Sequence, residues 1–315
     1  MKQKIFRIII FLSILVALDL LTSAFFLKGM ERYYGLNQEA DILIVGHSHM
    51  MKACNKDMLE NGLGLKISKY CREGVMIRER LGMVRHFLDT QQDSSVPIVL
   101  YGVDPKMFNE ENLSANSYRL FYPFMDSKPI DELVRREAVK WHDYPLHKWI
   151  RSARFADIAM YRACRGWLSN WESMEDGIVS DKVWNMKRDK IRNSDELVQL
   201  FYETIEYLRD NNCHVVLVYP GIIRGHRDAD PETFDANIEL FQALAAKHPN
   251  VDFLNYGPMF SHRKEIFEDS VHLNRAGEKE FSIQLIKDIE DIIRTRNIRT
   301  SREQTVPQER IEKSA

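Results

Sequence analysis

Five short runs rich in apolar and β-branched residues constrain this chain more than any other feature. They cover 41–45, 65–70, 96–101, 213–219 and, more weakly, 251–254. A strand with one wet face alternates apolar and polar residues. Runs without that alternation suit strands buried on both faces, as in a parallel sheet. Helical periodicity fills the spaces between them, near 50–61, 76–92, 195–211 and 232–247, and a final helix is expected near 276–295. Strand–helix alternation predicts an α/β fold, a three-layer sandwich around a five-stranded parallel sheet.

The first thirty residues differ from the rest. Lys2, Lys4 and Arg7 precede twenty mostly apolar residues, 8–27, which as a helix span about 30 Å and match a bilayer's hydrocarbon core. Positive charge is denser before this stretch than after it, where Glu31 partly offsets Lys28 and Arg32. The expected topology is therefore a cytoplasmic N-terminus and an uncleaved anchor, with the remainder across the membrane. A cleavable signal peptide is the rival, with Thr22-Ser23-Ala24 as a weak cleavage site. Asp19 inside the span is costly there. It calls either for a partner helix or membrane-embedded complex, or for relief by tilting and local hydration.

The expected organisation is an anchor at 1–30, an α/β domain at 31–297 and a polar, disordered tail at 298–315. The gap between the third and fourth strands, 103–212, is longer than one crossover helix needs. It reads as a helical insertion at about 106–194, with breaks at Tyr122-Pro123, Lys128-Pro129 and Tyr144-Pro145. All five tryptophans lie in it (Trp141, Trp149, Trp167, Trp171 and Trp184), and 135–165 carries eight Lys/Arg against three acidic residues. Such a surface can stack on sugar rings or rest on an anionic membrane interface; equally, the tryptophans can form the core of a helical lid. The net charge of -2 and the absence of a long basic tract argue against a nucleic-acid partner. Cys54, Cys71, Cys164 and Cys213 show no metal-ligand spacing and are read as buried thiols or one disulfide.

The chemistry-bearing residues sit at the two ends of the folded part. Ser48, in Gly46-His47-Ser48-His49, follows the first strand and enters a helix. There its own N–H can face a developing oxyanion, although a plain N-cap serine looks the same. Asp269-Ser270-Val271-His272 precedes the last helix, and its spacing lets the carboxylate fix the imidazole tautomer while the other ring nitrogen faces Ser48. Both ends converge on the edge of a parallel sheet where ligands bind. His47 and His49 flank the serine but are expected to project away from its hydroxyl, as loop histidines or substrate contacts. Tyr219-Pro220-Gly221 ends the fourth strand on the same edge and reads as a turn.

These two strings resemble the first and last sequence blocks of the SGNH (GDSL-like) hydrolase superfamily, over 41–295 with the helical segment as an insertion. The likeness is nearest to the membrane-anchored branch associated with cell-envelope acylation, which includes relatives of the teichoic-acid D-alanylation transfer protein. It implies an SGNH/flavodoxin-like fold and a membrane-bound O-acyltransferase as partner. His47 replaces the family's usual Asp before the serine. Gly74 matches a glycine whose N–H serves the family as an oxyanion donor. Where relatives carry an asparagine in Gly-x-Asn-Asp, this chain has Gly102-Val103-Asp104-Pro105, an Asp-Pro variant frequent in that branch. An ionised Asp104 would repel an oxyanion, and one lost donor costs roughly 3–4 kcal/mol of transition-state stabilisation. Either Asp104 turns away or another group donates.

The expectation is a single-pass protein of the inner (cytoplasmic) membrane whose C-terminal domain is periplasmic or extracellular. It moves an acetyl or similar acyl group to or from an envelope polysaccharide. Ser48 is the expected nucleophile, His272 the base, and Asp269 its orienter. Ser48, Gly74, Asp104, His47 and His49 line the oxyanion and substrate side. No metal or organic cofactor is called for. A carbohydrate esterase or deacetylase, and a non-catalytic envelope scaffold or glycan-binding subunit, are the alternatives.

Overall fold

The computed structural model describes residues 2–91, 96–109, 118–138, 140–169 and 176–301. In chain order, the first elements are α1 (Lys2–Tyr34), β1 (Ile42–Gly46), α2 (Ser48–Ala53), α3 (Lys56–Leu63), β2 (Ile67–Cys71), α4 (Ile77–Asp89) and β3 (Ile98–Gly102). After them come α5 (Lys128–Glu137), α6 (Asp143–Trp149), α7 (Ile158–Trp167), α8 (Asp181–Trp184) and α9 (Asp195–Asp210). The chain closes with β4 (His214–Tyr219), α10 (Gly225–Ala229), α11 (Pro231–Lys247), β5 (Val251–Asn255), α12 (Gly257–Phe260) and α13 (Arg275–Arg296). Two compact units result: residues 38–112 with 172–315, and residues 1–37 with 113–171.

The larger unit is the α/β sandwich. All five strands are parallel, in the order β2-β1-β3-β4-β5, with Ile42 opposite both Ile67 and Ile98. Alternate strand residues feed two separate cores. Ile42, Ile44, Ile98, Leu100, Val216 and Val218 share one with Leu59 and Leu63 of α3 and Phe281, Leu285 and Ile289 of α13. On the other face Tyr101 meets Phe201 of α9, and Phe241 of α11 joins Phe201 and Phe253. Every residue of β1, β3 and β4 is buried, which is why those strands are free of polar residues apart from His214, whose ring meets Asp252.

Each expected strand is present, its limits moved by two residues at most. The expected helix at 50–61 is two helices. Asn55 is extended between them and accepts the N–H of Met58, capping α3; a short polar side chain that bonds backbone favours a cap over a helix interior. Asp41 ties the start of the sheet to the end of the chain, accepting from the N–H of Lys66, the N–H of Ser301 and the Ser301 hydroxyl. Of the expected tail, Ser301 holds Asp41 and Ile298 packs on the core, and 302–315 lie outside the described residues. All four cysteines are free; Cys54, Cys71 and Cys213 are buried, and burial pushes the Cys71 and Cys213 thiols up to about 12.

The smaller unit joins α1 to the helical insertion. The helix α1 is long and apolar enough to cross a membrane. Its second half packs on α7, where backbones approach closely: a Cβ on Gly166 would lie 1.9 Å from the Gly29 carbonyl oxygen. Phe25 stacks on Trp167, whose indole N–H donates to the Phe25 carbonyl. The Asp19 carboxylate accepts the backbone N–H groups of Arg151 (3.1 Å) and Ser152 (2.8 Å), so this chain itself answers that residue's need for a donor. Prolines expected as breaks begin or belong to helices: Pro129 stands in the first turn of α5, and Pro145 lies within α6, as a fixed φ allows early in a helix. The tryptophans are not the core of this unit. Trp141 and Trp149 are 89% and 82% exposed, Trp184 belongs to the larger unit, and Trp171 lies outside the described residues.

Candidate active site

The C-terminal ends of β1 and β3 place the reactive groups. At those ends Gly46 and Gly102 leave room for Met50, the fully buried residue by which α2 seats on the sheet; a Cβ on Gly102 would come within 2.1 Å of its Cγ. That seat fixes Ser48, the first residue of α2.

The acid loop arrives from the other end of the chain. Asp269 Oδ1 accepts the backbone N–H groups of Val271 and His272, each at 2.8 Å, and Oδ2 lies 2.7 Å from His272 Nδ1. The Asp-x-x-His spacing therefore closes a small turn that aims the ring. His272 Nε2 is 2.7 Å from Ser48 Oγ. With Nδ1 protonated towards an acceptor-only carboxylate, Nε2 is left to accept the serine proton. Asn274 anchors the loop, donating to the carbonyls of Gly177 and Glu265 and capping α13 through the Gly277 N–H. Lys52 of α2 is paired with Glu268 of the loop. Burial opposes ionisation of Asp269. The hydrogen bond from His272 and the two backbone N–H groups outweigh it and hold the carboxyl well below its ordinary range.

Asp104, at the position where the resembled superfamily carries an asparagine, is buried, and both its carboxylate oxygens accept hydrogen bonds. Its Oδ2 accepts His47 Nε2–H at 2.6 Å and its Oδ1 accepts the Lys106 N–H at 2.8 Å. His47 Nδ1 in turn accepts the His49 N–H, so the ring proton sits on Nε2. Burial opposes the charge of Asp104, but the His47 hydrogen bond and nearby positive charge, including Arg80, keep it ionised far below its ordinary range. Burial, and then Arg80, lowers His47. The pair is thus a neutral imidazole donating to a carboxylate, with Arg80 as the cation.

Arg80 was not legible as a site residue. It sits in α4 inside Arg78-Glu79-Arg80, which looks like a solvated charge run, yet it is 1% exposed and donates to the Gly102 carbonyl at 2.7 Å. The available signal was its place three residues after Ile77 and four before Val84, on the apolar stripe.

His49 departs from its expected outward projection: its ring lies edge-on to His272, centroids 5.3 Å apart. Burial holds it well below its ordinary value, hence neutral. Gly74, exposed in the turn after β2, has φ +67°, a conformation that costs any L side chain. It lies just past Arg72, whose N–H continues the β1–β2 ladder to the Gly46 carbonyl. Two groups of side chains have metal-ligand proximity, His47/His49/Asp104 and Glu268/Asp269/His272. Within them His47 and Asp104 are hydrogen-bonded to each other, as are Asp269 and His272. With Nδ1 accepting and Nε2 protonated, the neutral His47 ring offers no lone pair to a cation.

Fold and site define a class: a parallel α/β protein with a hydrogen-bonded Ser–His–Asp array at the C-terminal edge of its sheet. No family model and no curated protein sequence matches this chain. Among solved structures it is similar to one from Streptococcus pneumonia, described provisionally as a platelet activating factor, at 13% identity and a TM-score of 0.42. That likeness covers 89% of this chain and 98% of the other. A likeness of that size leaves function to the site itself.

Proposed function

We propose that this protein is a membrane-anchored serine enzyme of the SGNH type that carries acyl groups, acetyl in the first instance, to or from hydroxyls of an envelope polysaccharide. The observation that carries the reading is the continuous relay from Ser48 Oγ through His272 to Asp269, 2.7 Å at each step. In this reading His272 takes the Ser48 proton as the hydroxyl attacks the ester carbonyl, and the N–H groups of Ser48 and Gly74 hold the oxyanion. The imidazolium then protonates the leaving alcohol, and the acyl group remains on Ser48. A second hydroxyl, activated by His272, completes the turnover.

The sugar hydroxyl is favoured over water as acceptor by the sequence likeness to the envelope-acylation branch. The same likeness supplies the proposed partner, a membrane-bound O-acyltransferase that delivers the acyl group.

The test uses full-length protein in detergent with an activated acetyl ester, alone and with a polysaccharide acceptor. Wild type is expected to acetylate the polymer, and Ser48→Ala to lose at least about 10³-fold of that rate with unchanged circular dichroism. Ester hydrolysis at a rate indifferent to the polymer would assign the site to an esterase. Equal activity of wild type and Ser48→Ala would remove the triad altogether.

A further inference from the structure

The exposed apolar surface of α1 continues past the residue at which the insertion grips it. From Ile5 to Thr22 every residue but the half-buried Asp19 is exposed, and so is Phe25, so the outward apolar surface of α1 runs for about 30 Å, the thickness of the hydrocarbon. The part from Asp19 onward is exposed and apolar on one side while the other side is packed against the insertion. At its start Asp19 grips the backbone of Arg151 and Ser152, fixing that segment at the depth of residue 19. Directly before it runs α6, on which Leu146, Trp149 and Ile150 recur at helical spacing and all stand exposed. Such a stripe, with an indole at its end, suits the boundary between headgroups and acyl chains. Charges beside it are already paired: Arg151 and Arg154 with Asp126, and Lys148 with Asp131. That pairing lowers the cost of a less polar setting.

We propose that α6 is a membrane-surface element: Leu146, Trp149 and Ile150 enter the leaflet from which the folded units emerge, and Asp19 sets their depth. This rests on α1 spanning the membrane. The occupant is lipid rather than protein because the stripe is tied, through Asp19, to the apolar surface of α1 that lipid must cover.

The test reconstitutes full-length protein and its Trp149→Phe variant into phosphatidylcholine vesicles, with and without lipid brominated near the headgroup end of the acyl chains. Both proteins keep the other four tryptophans, so their difference reports Trp149 alone. That difference signal is expected to lose more than half its intensity to brominated lipid and to be shielded from aqueous acrylamide. A signal untouched by brominated lipid and open to acrylamide overturns the proposal. Shielding from both quenchers also overturns it and points to a second protein copy on α6. Extraction of the protein from vesicles by alkaline carbonate would instead show that α1 does not span, and the proposal would fall with that reading.

Discussion

Asp269 does two jobs with two oxygens, and that division makes its replacement by asparagine informative. In Asp269→Asn the remaining carbonyl oxygen would stay with the backbone N–H groups of Val271 and His272, which need an acceptor. The new NH₂ would then face His272 Nδ1, forcing the ring proton onto Nε2, where it blocks transfer from Ser48. The expected result is a fall in kcat of roughly 10⁴-fold with little change in KM, read by steady-state kinetics. The Asp104–His47 pair answers to a different measurement. His47→Ala strands a buried carboxylate and should cost about 1.5–3 kcal/mol in urea unfolding. Adding Asp104→Asn should recover part of that loss, a coupling that a double-mutant cycle isolates. Ser48, Asp269 and His272 were legible because their chemistry depends on short spacings that chance seldom places at two strand-to-helix junctions. Arg80, Asp104 and His47 were less so, because their meaning comes from contacts 57 positions apart, such as His47 to Asp104, or from burial on a helix face.

At the scale of elements, α2 depends on two glycines. In Gly102→Ala the new methyl would collide with Met50, whose displacement must carry α2 and Ser48 with it. A shift of about 1 Å at a nucleophile can cost roughly 10² in rate, so kcat/KM should fall on that order while the melting temperature changes modestly. In the smaller unit, Gly166→Ala drives a methyl into the Gly29 carbonyl. The α1–α7 crossing must open, and limited proteolysis between residues 118 and 169 should quicken while the triad stays intact. The central strands were readable from composition because burial on both faces leaves almost no polar position to confuse the pattern. The break between α2 and α3 was not, since Cys54-Asn55 contains neither glycine nor proline and only the Asn55 side-chain bond declares it. The fate of the tryptophans was equally hidden: an apolar helical stripe looks the same in sequence whether a core or a lipid surface faces it.

For the whole molecule, acid sensitivity follows from imidazoles buried neutral. Burial, and then the charge of Arg72, lowers His86 from 6.5 to about 3. Burial, with Lys106 and Arg188 nearby, lowers His226 equally, to about 3. Folded values below unfolded ones mean stability that is complete above 6.5 and is lost as pH falls towards 3. The urea midpoint should therefore decline across that window, and a His86→Gln/His226→Gln variant should show a flatter decline. Below about 4, protonation of Asp104 and Asp269 should steepen the loss, since both are held under their ordinary 3.8. The sheet itself adds a consequence in time. Ser48 and His272 stand 224 positions apart, and α13 closes over α2 and α3, with the Ser282 hydroxyl accepting the Asn55 N–H. A ribosome must therefore pass residue 282 before Ser48 and His272 can be held together. In the proposed reading the emerging polypeptide is chemically silent until then, and a fragment released early would carry a serine with no base beside it.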